Sequence, residues 1–335
     1  MNMQPALLAL GLADLVTLLG LLRVAPHALG VWRHWDQTRG TPRQIRMDRE
    51  TLLASTLTAG VMLLQWLALP LAVYNADAMA PLFTGAMCAV GSFNVNPYGF
   101  PALWARLALF LAAGVWLVMH HMDNGFTALP LVRHRALLTL MLLPLAVILA
   151  LLQGAYALNL NVEVITSCCG SLFSPDKPSL EGSMAALSPR DALALQGGTA
   201  LLVLAAAVRP WCRGHALGPL ALAMTPAFLA ALAVVVALIA PYIYEHPHHH
   251  CPFCLLKPEY AWVGYALYLP LCASAALAWG LGLGAVLLAR VHPSLLPDLA
   301  RQARPMARAA VALYVLYLLV AMASAASSHL ILFGE

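Results

Sequence analysis

Two cysteine pairs and a run of histidines carry the chemistry this chain could do. Cys251-Pro252-Phe253-Cys254 places two thiols at a spacing that lets the sulfurs close a small ring. Such a pair either exchanges with other thiols through mixed disulfides or grips a thiophilic ion. Cys168 and Cys169 are adjacent, so a bond between them would be strained and easily reduced, while two reduced neighbours can share a soft ion. Ahead of the first pair stand His246, His248, His249 and His250, imidazoles suited to zinc, copper or nickel. An imidazolium would equally stabilise a neighbouring thiolate. The bland readings are small buried hydrophobes for the thiols and a solvated loop for the histidines.

Other groups are isolated. Asp14 lies inside an apolar stretch, where an ionisable group is costly and marks either function or a hydrogen bond within the bundle. Arg106 is read as snorkelling to an interface and Gln153 as pairing with another helix. His120, His121 and His329 do not form two facing histidines at one depth, and Cys254 is followed by Leu255 rather than His, so haem is disfavoured.

These residues must be positioned by membrane-spanning helices. Of 335 residues, 62% are hydrophobic and only 10% charged, with mean hydropathy +0.80. Soluble domains carry about 25% charged residues, so a water-soluble enzyme and a nucleic-acid binder are both excluded. The expected fold is an all-α polytopic bundle forming a single membrane domain over 1–335. Eight spans are expected, at about 5–22, 51–75, 102–120, 136–158, 192–208, 219–244, 261–289 and 309–332. The first six residues lack Lys and Arg and no small-x-small site follows, so the first span is expected to be a retained helix rather than a signal peptide.

Fourteen arginines fall in alternate connections, from Arg23 and Arg33 through Arg133 and Arg135 to Arg304 and Arg308. The other connections hold only Lys177, Arg190 and Lys257. The positive-inside rule then puts both termini, and the loops 76–101, 159–191 and 245–260, on the non-cytoplasmic side. Cys88, both cysteine pairs and the histidines all lie in those outward loops.

The stretch 136–290 resembles the vitamin K epoxide reductase family and its analogue, the bacterial quinone-linked disulfide-forming membrane oxidase. The fourth span leads into the Cys168/Cys169 loop, and the seventh is expected to open with Cys251-Pro252-Phe253-Cys254. The resemblance implies a catalytic pair, Cys251 and Cys254, beside a quinone, with Cys168 and Cys169 as the shuttle to a periplasmic protein partner. The family's loop cysteines are usually separated, its pattern lacks the histidine run, and four spans here lie outside it.

Three functions follow. The first is a thiol-disulfide relay, in which Cys168/Cys169 and Cys251/Cys254 pass electrons to quinone. The second is a copper- or zinc-handling protein, whose ligands come from His246, His248, His249, His250 and the same four cysteines, with outward Met79, Met87 and Met184 compatible with copper. The third is a structural subunit of a membrane complex. The expected location is a bacterial inner membrane, in contact with lipid and with the active face toward the periplasm.

Overall fold

The computed structural model describes residues 5–36, 41–166, 173–175 and 178–332. Cys168 and Cys169 lie outside the described residues. The described chain is helical and contains no strand. Eight of its helices are long and apolar enough to cross a membrane, so this is a multi-pass integral membrane protein.

In chain order the helices are α1 (Pro5–His34), α2 (Pro42–Met79), the short α3 (Ala89–Phe93), α4 (Gly99–Asn124), α5 (Val132–Leu158), the short α6 (Leu180–Ala185), α7 (Pro189–Arg213), α8 (Leu217–Tyr244), α9 (Val263–Val291) and α10 (Leu296–Ala326). All eight expected spans are present, most of them extended by a turn or more. The extension follows from local signals that hydropathy does not see. Thr41 Oγ1 accepts from the Gln44 amide and Ser188 Oγ from the Asp191 amide, each just ahead of a proline that opens the helix. At the other end of α7, Gly214 turns left-handed at φ 72°, where a side chain would strike the Ala300 carbonyl.

The eight helices pack as two four-membered rings. In the first, α1 packs on α2, α2 on α4, α4 on α5, and α5 back on α1. In the second, α7, α8, α9 and α10 close in the same order. The rings meet through the third spanning helix of each, α4 and α9. Small residues make that seam close. A Cβ on Gly114 would lie 2.7 Å from Ala276 Cβ, one on Gly280 2.6 Å from Val118 Cβ, and one on Gly284 2.7 Å from Met122 Cε.

Arg106 does not snorkel. It is 1% exposed in the middle of the first ring, with Nη2 2.6 Å from Asp14 Oδ2 and Nη1 3.0 Å from Oδ1. An arginine can stay at that depth because a carboxylate meets it there. Gln153 does pair with another helix, accepting from Arg106 Nη2 at 3.2 Å. A second buried pair, Asp123 and Arg135, lies toward the arginine-rich end, where Asp123 Oδ1 also accepts from the Leu131 amide.

Candidate thiol site

The loops after α2 and α8 come together at the other end of the bundle. Leu7, at the start of α1, packs there with Phe93 and Leu256, and the His329 amide, just after α10, donates to Glu245 there, so the first spanning helix begins and the last one ends at this end of the bundle.

From the first ring, α2 gives way to a single tight turn at Ala80–Leu82, and Gly85 at φ 85° passes beneath the Thr166 carbonyl with no room for a Cβ. The chain then reaches Cys88, whose carbonyl accepts from the Gly91 amide as α3 begins. Every residue of α3 is buried, and it is tied down by Ser92 Oγ donating to the Ala76 carbonyl and by Tyr156 donating to that of Ser92.

From the second ring, α8 contains a π-helical turn at Val235–Ile239. Such a turn breaks the regular hydrogen-bond ladder, and here the Val236 carbonyl meets His250 Nδ1 at 3.0 Å. Glu245, left-handed at φ 52°, reverses the chain. The cysteine segment is then clamped from both sides. Tyr244 on α8 donates to the Cys251 carbonyl at 2.5 Å, and Tyr268 on α9 donates to the Pro252 carbonyl at 2.9 Å.

Three sulfurs converge in the space between. Cys88 Sγ lies 3.8 Å from Cys251 Sγ, and the Cys88, Cys251 and Cys254 sulfurs all lie within 4.8 Å of one another. The three residues are 1%, 1% and 5% exposed. Val90, Phe173, Ala185 and Val236 form one buried cluster with them, and Met184 and Phe253 pack against it. Phe173, Met184 and Ala185 belong to the connection that carries Cys168 and Cys169, so that connection covers the site. Lys257 ties the two loops together, its Nζ donating to the Met87 carbonyl at 3.1 Å and facing Glu259 at 3.6 Å. Partial burial pulls its ammonium down, but Glu259 and Asp77 outweigh that and hold it above its ordinary value.

The chain matches no protein-family model, no curated protein and no solved structure. Function must therefore be read from the site itself.

Several expectations change. The Cys251/Cys254 pair does not open the seventh span. Cys254 starts a three-residue 3₁₀ turn, and α9 begins only at Val263, after Pro258 and two left-handed residues, Ala261 and Trp262. The dipole of a long helix is thus not aimed at these sulfurs. The histidine run also splits. His246 and His248 are exposed and His249 stacks on Tyr244 at 4.1 Å, whereas His250 is buried. Burial pushes the His250 imidazole below its usual value, which leaves it neutral at pH 7. None of the four joins the group of converging ligand atoms. The stretch 136–290 does not contain the whole site, because Cys88 comes from the first ring. Cys88 was not among the expected ligands, although its place in an outward loop, in phase with the other cysteines, was the available signal.

Three buried thiols at this separation can do two things. Deprotonated together, they can surround one soft cation. Taken as a pair and a neighbour, they can exchange a disulfide, with the third sulfur as attacking group.

Proposed function

We propose that the protein binds a thiophilic metal ion, of the Cu(I) or Zn(II) class, at the junction of its two four-helix rings and receives or delivers it there. The observation that carries this reading is the convergence of Cys88, Cys251 and Cys254, all buried, within one packed apolar cluster. Metal–thiolate bonds of about 2.3 Å set ligand sulfurs about 3.8–4.0 Å apart in tetrahedral or trigonal sites. The closest pair here, at 3.8 Å, already has that spacing. Thiolate-rich sites select Cu(I) and zinc over harder cations. The positive-inside pattern supports placing the site on the non-cytoplasmic face, toward the periplasm if the membrane is a bacterial inner membrane.

The quinone-linked thiol-disulfide relay is the second reading. It is favoured by Cys88 standing beside a two-residue-spaced pair, where a thiolate could attack Cys251. Burial of all three sulfurs favours the ion, because a partner protein's thiol has to reach the sulfur it attacks.

The test is titration of the purified, reduced, detergent-solubilised protein with Cu(I) and with Zn(II) against competing chelators, followed by X-ray absorption at the metal edge. One equivalent coordinated by three sulfurs is expected, with Cys88→Ser removing one of them. A Cys251–Cys254 disulfide that forms and reduces with the quinone pool, in a protein that retains no ion, would replace this reading with the relay.

A further inference from the structure

Two of the three sulfurs in the thiol site are anchored to different rings. Cys88 stands between α2 and α3, and α3 is fastened to the first ring through the Ala76 carbonyl and the Tyr156 hydroxyl. Cys251 follows α8, and its segment is fastened to the second ring by Tyr244 and Tyr268. Where the two loops meet, Cys88 Sγ and Cys251 Sγ stand 3.8 Å apart. Disulfide sulfurs sit about 2.05 Å apart, so each sulfur would have to move by only about 0.9 Å to bond. The loops are already drawn together in the reduced protein, because Lys257 donates to the Met87 carbonyl one residue before Cys88.

We infer that Cys88 and Cys251 are an oxidative modification site, at which a small uncharged oxidant of the hydroperoxide class cross-links the two rings and switches the ion site off. The effect on the ion rests on the metal reading of the site; the bond itself does not. Burial selects the oxidant. A protein disulfide has to bring its own sulfur to the one it meets, and both residues are only 1% exposed. A peroxide molecule is little larger than water.

The first thiol gives up its proton and its sulfur attacks the peroxide O–O bond, which leaves a sulfenic acid and one water. The second sulfur displaces the hydroxyl from the sulfenic sulfur. The S–S bond forms, and the second thiol's proton leaves with the hydroxyl as another water. Two thiols thus lose two electrons and two protons, and one peroxide becomes two waters. The bond consumes two of the three ligand sulfurs and leaves Cys254 alone, and a metal needs thiolates. It also adds a covalent tie between rings that otherwise meet through α4 and α9. A bond within Cys251–Cys254 would leave the rings unlinked, so the two products differ in kind.

The test treats the reduced, ion-free, full-length protein in detergent with hydrogen peroxide and alkylates the remaining thiols. Mass spectrometry of the protein digested without reductant then maps the bonds. Peptides joined through Cys88 and Cys251 are expected in the wild type, where the assignment needs no variant. The same link should persist in Cys254→Ser and be lost in Cys88→Ser. Zn(II), which does not itself react with peroxide, should prevent the link when bound beforehand. Cross-linked protein should lose the Zn(II) binding seen by chelator competition and regain it after treatment with a phosphine reductant. A Cys251–Cys254 bond in its place would overturn the proposal. So would buried sulfurs that stay reduced while the exposed Cys212 is oxidised. Cross-linked protein that binds Zn(II) as tightly as reduced protein would overturn the switch. Reduced protein that binds no Zn(II) or Cu(I), yet still cross-links, would overturn the metal reading and the switch with it.

Discussion

At the scale of single residues, the site depends on which sulfurs meet rather than on how many there are. Cys272 is buried within the second ring's core, and Cys212 is exposed at the end of α7. Neither belongs to the converging group. Cys88→Ser and Cys251→Ser should therefore weaken ion binding by more than about a hundredfold, beyond what loss of an outer-shell partner costs. Cys272→Ser should leave it unchanged, and chelator competition reads both. Lys257 is a positioning residue, since it touches the Met87 carbonyl next to Cys88 and not a sulfur. Lys257→Met should lower affinity by about ten- to a hundredfold, as outer-shell losses do, without changing the number of sulfur ligands. Sequence showed the residue types and their common face. It could not show that Cys88 completes the group while none of the four histidines joins it, because that depends on Tyr244 and Tyr268 fixing the Cys251 segment and on Lys257 tying that segment to the Cys88 loop.

At the scale of elements, the spans were legible because apolar length is a local property of the chain. Their partners were not. Arg106 read alone belongs at an interface, and only the ring geometry reveals Asp14 across the centre. Arg106→Leu leaves Asp14 buried without its counter-charge and should cost about 3–5 kcal/mol, whereas replacing both partners with neutral groups should cost far less. Thermal unfolding in detergent of the single and double variants checks this non-additivity. The resemblance implies that Cys251–Cys254 opens the seventh span, but Pro258 and the left-handed Ala261 and Trp262 hold the segment as a separate loop, within the connection 245–260 that hydropathy marks. The cysteines consequently owe their setting to tertiary clamps and not to a helix terminus.

At the scale of the molecule, the site bridges two similar rings, with Cys88 supplied by one and Cys251 and Cys254 by the other. No sequence repeat announces the two rings, since a four-helix ring asks for apolar spans of adequate length and short connections, not for recurring residues. Because the rings meet through α4 and α9, that seam should control the site at a distance. Gly280→Leu would drive a side chain into Val118, where even a Cβ lies at 2.6 Å. It should lower ion affinity by at least about tenfold through displacement of the rings, at a cost of about 1–3 kcal/mol in stability. Chelator competition and thermal unfolding read the two effects separately. An unchanged affinity in a destabilised protein would mean that the loops hold the thiols without help from the seam.

The most direct measurement is X-ray absorption at the metal edge of the wild type and of Cys88→Ser, each loaded with one equivalent of ion under reducing conditions. The convergence of Cys88 with Cys251 and Cys254 requires three sulfur ligands in the first and two in the second. The same ligand count in both, or no bound ion in either, would contradict a metal centre at the junction of the rings.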